Sequence, residues 1–164
     1  MDKPLVSVII PTYSRPEYIV RAIDSVLGQT YKNIEIIVVD DNGIGSCHQI
    51  ETENVLKDYI TQGKITYIRH KTNKNGSAAR NTGFRASYGE YINFLDDDDY
   101  FLPTKIEKQI EILNSKNAEY GAVCCNMRII KRASSRHEIH HFDTSLTSVS
   151  VLSSSITILL VLDL

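Results

Sequence analysis

Four carboxylates in a row, Asp96-Asp97-Asp98-Asp99, follow directly on the apolar run Tyr91-Ile92-Asn93-Phe94-Leu95. Two such groups held roughly 4 Å apart near a protein surface repel by about 4 kcal/mol at an effective dielectric of 20. A folded chain must therefore separate them, protonate one, or place positive charge among them. Oxygen-only ligands favour a hard divalent ion, Mg2+ or Mn2+, over zinc. Such an ion keeps coordination positions for phosphate oxygens, which makes a diphosphate the group it would serve. The competing reading is that Asp98 and Asp99 favour the start of the next helix, where the macrodipole and unpaired N–H groups attract negative charge. A calcium loop starting at Asp96 fails, because Tyr100 and Phe101 stand where an oxygen ligand and a glycine are required. A phosphatase-type Asp-x-Asp-x-Thr/Val pattern is weakened by Tyr100 at its last position.

The elements that must position these carboxylates alternate. Leu5 to Ile10 is β-branched and nearly all apolar, the mark of a strand covered on both faces, with Pro11 expected to end it and residues 11–16 to form a loop. Ile19, Ala22, Ile23, Val26 and Leu27 fall on one face of a helix over Glu17 to Gln29. Ile34 to Val39 is a second buried strand, ending in Asp40-Asp41-Asn42-Gly43. Next come a helix over Gln49 to Ile60 with Val55, Leu56, Tyr59 and Ile60 as its apolar side, and a strand at Ile65 to Arg69. A loop from Lys71 to Gly76 follows, then a helix capped by Ser77 and running to about Ser87. Beyond the acidic stretch, Pro103 suits the first turn of a helix carried by Ile106, Ile110 and Leu113, and Gly121 to Ile130 reads as another strand. Such alternation predicts an α/β fold, a mostly parallel sheet with helices on both faces, whose ligands gather beyond the carboxyl ends of the strands. Pro11 to Arg15, Asp40 to Gly43 and Asp96 to Asp99 all sit at such ends and are expected to converge on one rim.

The 164 residues, 42% hydrophobic and 23% charged, have the composition of one globular domain. A net charge of −2 gives no electrostatic case for nucleic acid, although Lys64 to Lys74 is locally basic. Cys47, Cys124 and Cys125 suggest no disulfide framework and are expected to be small buried or half-buried side chains in a reducing compartment. No amino-terminal signal is read in Val6 to Ile10, and Ile156 to Leu162 is too short to span a bilayer. A P-loop is absent, and Gly43-x-Gly45-x-x-His48 lacks the third glycine of a dinucleotide fingerprint.

Five stretches carry a resemblance: Val6-Ser7-Val8-Ile9-Ile10-Pro11-Thr12-Tyr13; Ala22-Ile23-x-Ser25-Val26-x-x-Gln29-Thr30; Glu35-Ile36-Ile37-Val38-Val39-Asp40-Asp41; Gly76-x-Ala78-x-Arg80-Asn81-x-Gly83; and Tyr91-Ile92-x-Phe94-Leu95-Asp96-Asp97-Asp98-Asp99-x-x-x-Pro103. In this order and spacing the chain resembles the family-2 inverting glycosyltransferases with the GT-A, nucleotide-diphospho-sugar transferase-like fold, over about residues 4–116. The resemblance implies a nucleoside-diphosphate sugar as donor, a hydroxyl acceptor on a glycan or lipid-linked glycan, and Mg2+ or Mn2+ as cofactor. It implies that Pro11 and Tyr13 frame the nucleobase and Asp41 hydrogen-bonds it. Asp96 and Asp97 would serve the ribose and the surroundings of the metal, and Asp98, with Asp96, would hold the ion of a DXD motif. Arg80 would add positive charge near the phosphates, or lie as a helix-surface arginine; Tyr13 has the alternative of an ordinary packed aromatic, and Asp40 is expected to cap its loop. Cell-surface polysaccharide synthesis, in the cytoplasm and at most peripheral to the cytoplasmic membrane face, is implied by the same analogy.

Inversion requires a general base, and its motif is not found downstream; Glu138 and Asp143 are available without the expected surroundings. His137, His140 and His141 lack a clear fourth ligand for a zinc site. From Ser145 the composition shifts to Ser, Thr, Val and Leu, which divides the chain into a donor-binding domain at residues 1–144 and an atypical tail at residues 145–164, either a divergent strand pair or the mark of truncation. Two readings follow: an active metal-assisted transferase, or a donor-binding module without transfer activity. A nucleotidyl- or phosphotransferase is a third and finds no supporting motif.

Overall fold

In a computed structural model, residues 3–115, 122–125, 127–130, 137–140 and 158–161 are described. The elements are β1 (Val6–Thr12), α1 (Pro16–Leu27), β2 (Ile34–Asp40), α2 (Cys47–Thr61), β3 (Thr66–Arg69), α3 (Gly76–Arg85), β4 (Tyr91–Phe94), α4 (Lys105–Ser115), β5 (Ala122–Cys124), β6 (Met127–Ile130), β7 (His137–His140) and β8 (Ile158–Val161). The main sheet has the order β3-β2-β1-β4-β8-β5. Its first four strands are parallel, and β8 runs antiparallel between β4 and β5. A separate antiparallel pair joins β6 to β7.

Alternation along the central strands builds two layers, because successive side chains point to opposite faces. Val6, Val8 and Ile10 of β1 pack with Ile19, Ala22, Ile23 and Val26 of α1, Leu56 of α2, and Ile106, Ile110 and Leu113 of α4. On the other face Ile9, Ile37, Val39 and Ile92 meet Ala79 of α3. Helix α3 lies so close to the sheet that a Cβ on Gly83 would stand 2.4 Å from Cγ2 of Ile9. The chain therefore runs outward through β1, β2 and β3 with α1 and α2 on one face, then crosses the other face in α3 to enter β4 on the far side of β1. The strand order reverses between β1 and β4, and ligands of open α/β sheets bind beyond the carboxyl ends at such a switch point.

Several expectations are corrected. Pro11 does not end β1: it pairs in register with Val39, and the strand runs on to Thr12. The alternating residues Leu5 and Ile9 give their carbonyls to β4-side amides of Tyr91 and Leu95, so Pro11 also faces that side. Pairing with β4 stops at Ile9, which leaves no ladder bond for the missing proline N–H to break. Helix α3 is capped not by Ser77 but by Asn75, whose side chain accepts from the Ala78 amide at 3.1 Å. Asn75 takes φ 73° and ψ 163°, outside the left-handed helical basin and in a region that a side chain occupies only with strain. Within the run expected to be one strand, Ala122–Cys124 and Met127–Ile130 are two strands in different sheets. Pro103 precedes the first helical residue of α4, Lys105. Leu27 and Val55 are exposed; Leu56 is buried and Tyr59 and Ile60 pack against the core as expected, and the inner side of α2 also includes Gln49 and Thr52. Cys47, expected to be buried, is exposed at the start of α2.

Candidate functional site

Because β2, β1 and β4 are adjacent and parallel, their carboxyl ends bring the three loops to one rim. Thr12 joins them. Its carbonyl accepts from the Asp41 amide at 3.0 Å, and its hydroxyl donates to Asp97 Oδ2 at 2.8 Å. The Tyr13 amide reaches the same oxygen at 3.4 Å. The next amide, of Ser14, donates to Asn42 Oδ1 at 2.6 Å, which ties the loop after β1 to the loop after β2. Pro11 is half-buried in the floor, while the Tyr13 ring is 52% exposed, so it is not a packed core aromatic.

The acidic stretch turns as it leaves β4, with the Asp99 amide donating to the Asp96 carbonyl at 3.0 Å. This turn splays the carboxylates, and arginines from two helical regions meet them. Arg80 on α3 pairs with Asp96. Arg15 lies 2.7 Å from Asp97 Oδ1, outside hydrogen-bond alignment, and pairs with Asp98 through its other terminal nitrogen. Arg21 donates to the Asp98 carbonyl. Asp97 is closed to solvent and Asp98 is exposed. Burial raises the Asp97 carboxyl above its ordinary range, opposed by the Thr12 hydrogen bond and Arg15 and reinforced by Asp98. Asp99 is an exposed residue whose carboxyl is nonetheless raised, by partial burial and then by the charges of Asp98 and Asp96.

Asp40 and Asp41 divide their labour. Asp40 is fully buried, accepts from the Asn42 amide at 2.9 Å and from the Tyr67 hydroxyl, and caps its loop as expected. Asp41 is also buried, and its Oδ1 meets His70 Nδ1 at 2.6 Å and the Lys74 amide at 2.8 Å. Its Oδ2 is buried without a hydrogen-bond partner. A buried acceptor left unmatched costs about 1–3 kcal/mol, so this oxygen is poised to receive a donor.

Sequence reasoning missed Arg15 and His70 as members of the site. His70 follows the last residue of β3 and so occupies the same strand-end rank as the loops already singled out, the one signal that pointed to it. Among the described residues no group of three or more His, Cys, Asp and Glu side chains is arranged to hold a metal ion. Asp143 and His141 lie outside the described residues, as do residues 145–157 of the tail. Residues 158–161 of the tail form β8 within the main sheet. A shallow cavity lined by Val26, Tyr31, Ile34 and Ile36 lies at the opposite, amino end of β2.

The family profile described as Glycosyl transferase family 2 matches residues 7–154. The chain belongs to glycosyltransferase family 2. An uncharacterized glycosyltransferase of Rickettsia felis is 50% identical over 111 residues, 68% of this chain and 17% of that protein. One from Rickettsia prowazekii is 43% identical over 131 residues, 80% of this chain and 39% of its own length. The chain thus spans well under half of these family-2 relatives. Among solved structures, the 1–349 fragment of Staphylococcus aureus TarS in complex with UDP-GlcNAc aligns with a TM-score of 0.59 at 26% identity, covering 68% of this chain and 31% of that one. A mannosyltransferase from Pyrobaculum calidifontis in complex with GDP-Man and Mn2+ aligns with a TM-score of 0.64 at 24% identity, covering 76% and 36%. These likenesses establish the GT-A fold for this family-2 chain. Among its described residues no helix is long and apolar enough to cross a membrane.

Proposed function

We propose that this family-2 chain binds a nucleoside-diphosphate sugar across the carboxyl ends of β2, β1 and β4 and serves its transfer, with inversion, to a hydroxyl of a glycan or lipid-linked glycan. The observation that supports the reading is Thr12, whose carbonyl accepts from the Asp41 amide and whose hydroxyl donates to Asp97, so that the segments assigned here to base and diphosphate are held on one rim at the switch point. Pro11 and the exposed Tyr13 ring frame the base, and Asp41 takes a base N–H on its unmatched oxygen. Asp96 faces the ribose, and Asp97, closed to solvent, holds Thr12 and Arg15 in place.

Asp96 and Asp98 offer oxygen donors that already draw guanidinium groups, a donor set and a charge that fit Mg2+ or Mn2+. When bound, such an ion would neutralise charge developing on the departing diphosphate. Arg80 and Arg15, released from the carboxylates, would turn toward the phosphate oxygens. The family-2 context supports work in cell-surface polysaccharide synthesis on the cytoplasmic side of a membrane, with peripheral association at most. A donor-binding module without transfer activity remains the second reading, favoured by the lack of an identified general base among the described residues.

Calorimetry with UDP and GDP, each with and without Mn2+, tests the premise that both readings share. Manganese-dependent binding is expected, and its loss is expected in a variant carrying both Asp96→Ala and Asp98→Ala. Equal retention of nucleotide by the double variant overturns the assignment. Product analysis with UDP- and GDP-sugars and a panel of hydroxyl acceptors separates the readings, since a module without a base forms no glycoside.

A further inference from the structure

Within the site just proposed, Asp41 is not a symmetric carboxylate. Its Oδ1 is met by two donors, His70 Nδ1 at 2.6 Å and the Lys74 amide at 2.8 Å, while Oδ2 is met by none. A carboxylate only accepts, so Nδ1 carries a proton in this contact whichever state the ring is in. The other ring nitrogen is anchored as well, with Nε2 lying 2.9 Å from Thr82 Oγ1 on α3. The ring is 5% exposed and the Asp41 side chain 3%, so neither can turn away without leaving buried polar atoms unmatched. His70 is further held by its own amide, which donates to the Asp40 carbonyl at 2.9 Å.

We propose that His70 is a positioning residue that saturates Oδ1 of Asp41 and leaves Oδ2 as a single acceptor, so that the site selects a pyrimidine with one imino N–H, uracil or thymine, over guanine and cytosine. Guanine presents two adjacent donors, N1–H and the exocyclic amine, and draws its advantage on a carboxylate from engaging both oxygens. Here one oxygen is already filled. Cytosine presents a lone pair at N3 in place of the imino N–H, so its exocyclic amine can reach Oδ2 only with that lone pair held against the carboxylate. The N3–H of uracil or thymine supplies the one donor that Oδ2 lacks. Because Oδ2 is closed to solvent, the base edge displaces the atoms that cover it and replaces them with a hydrogen bond in a dry setting.

This inference rests on the donor-binding reading, and the experiment separates the two. UDP, dTDP, GDP and CDP are titrated into the full chain in the presence of Mn2+, alongside His70→Asn and His70→Leu variants whose folding is followed by urea unfolding. Asparagine places an amide N–H near the position of Nδ1 and keeps the donor, whereas leucine removes it. UDP and dTDP are expected to bind about tenfold or more tighter than GDP and CDP, the effect of one buried hydrogen bond made or missed. His70→Leu is expected to narrow the UDP-to-GDP ratio about tenfold, and His70→Asn to hold it within about threefold of the parent. A purely structural loss would weaken all four nucleotides alike and leave the ratio unchanged, which overturns the role of His70. Preference of the parent for GDP, or none at all, overturns the base selection on its own and needs no variant. Failure of every nucleotide to bind overturns the donor-binding reading and this inference together.

Discussion

The guanidinium of Arg15 bridges two neighbouring carboxylates, lying 2.7 Å from Asp97 Oδ1 and pairing through its other nitrogen with Asp98 Oδ2. One of these carboxylates is buried and the other 45% exposed, so the arginine spans the boundary between the floor of the site and solvent.

Arg15 therefore competes with any cation for Asp98. Replacing it with Met is expected to tighten Mn2+ binding in the absence of nucleotide. The gain should not exceed about fivefold, because an exposed ion pair contributes only about 0–1 kcal/mol. Titration of the metal alone into parent and variant checks this, and weaker binding by the variant would assign Arg15 a supporting rather than a competing role.

Gly83 sits where a methyl group would stand 2.4 Å from Ile9 Cγ2 and 3.3 Å from Val39 Cγ2. Both neighbours are fully buried in the central strands, so neither can swing aside. Gly83→Ala is expected to lose about 1–3 kcal/mol of stability through overpacking. Urea unfolding reads the loss, and the same substitution should cost less in an Ile9→Ala background than in the parent, the coupling that a double-mutant cycle measures.

The Tyr67 hydroxyl donates to a carboxylate, Asp40, that is wholly buried. Burial first, and then this hydrogen bond, raises the tyrosine well above its ordinary range. Tyr67→Phe leaves Asp40 Oδ2 without its donor and should cost about 1–3 kcal/mol in a urea melt. A loss below a few tenths of a kcal/mol would mean that water replaces the phenol there.

Lys105 is a half-buried residue whose ammonium donates to Asn93 Oδ1 at 2.9 Å and lies 3.8 Å from the centre of the Phe101 ring. Burial lowers it from 10.5 to about 7, with Cys125 opposing the shift. Between those two values the unfolded chain binds more protons than the folded one, so this group makes stability rise with pH across that window. The slope is at most about 1.4 kcal/mol per pH unit. Below pH 7 both states are protonated, and the cost of burying the charge is full and constant. Lys105→Met is expected to be more stable than the parent at pH 6 and to lack the extra rise between pH 7 and pH 10. Parallel stability curves for the two proteins would show that the lysine does not titrate in its folded position.

Periodicity made much of the fold legible. The apolar spacing of Ile19, Ala22, Ile23 and Val26 is a property of a single helix and needs no partner to be read, and each of these residues is buried. The β-branched runs of β1 and β2 are likewise local, and they place Asp40 and Asp41 at a strand end before any contact is known. Boundaries set by neighbours were less legible. Pro11 stays in β1 where β4 has already parted from that side, and α3 starts from Asn75 because its side chain accepts the Ala78 amide. The break between β5 and β6 depends on which sheet each strand joins, and no residue type in the run announces it.

By itself the sequence determined the alternation of strands and helices, the placing of carboxylates at strand ends and the family, because hydrophobic period and motif spacing are written along the chain. The tertiary structure alone decided which oxygen of which carboxylate is left open. Asp41 is asymmetric because His70, 29 residues away, and the Lys74 amide fold onto one of its oxygens. The acidic turn is quiet because Arg15 and Arg80 arrive from distant helical regions to balance it. Hydrogen-bond valence and charge balance are sums over neighbours in space, and no reading along one dimension supplies those sums.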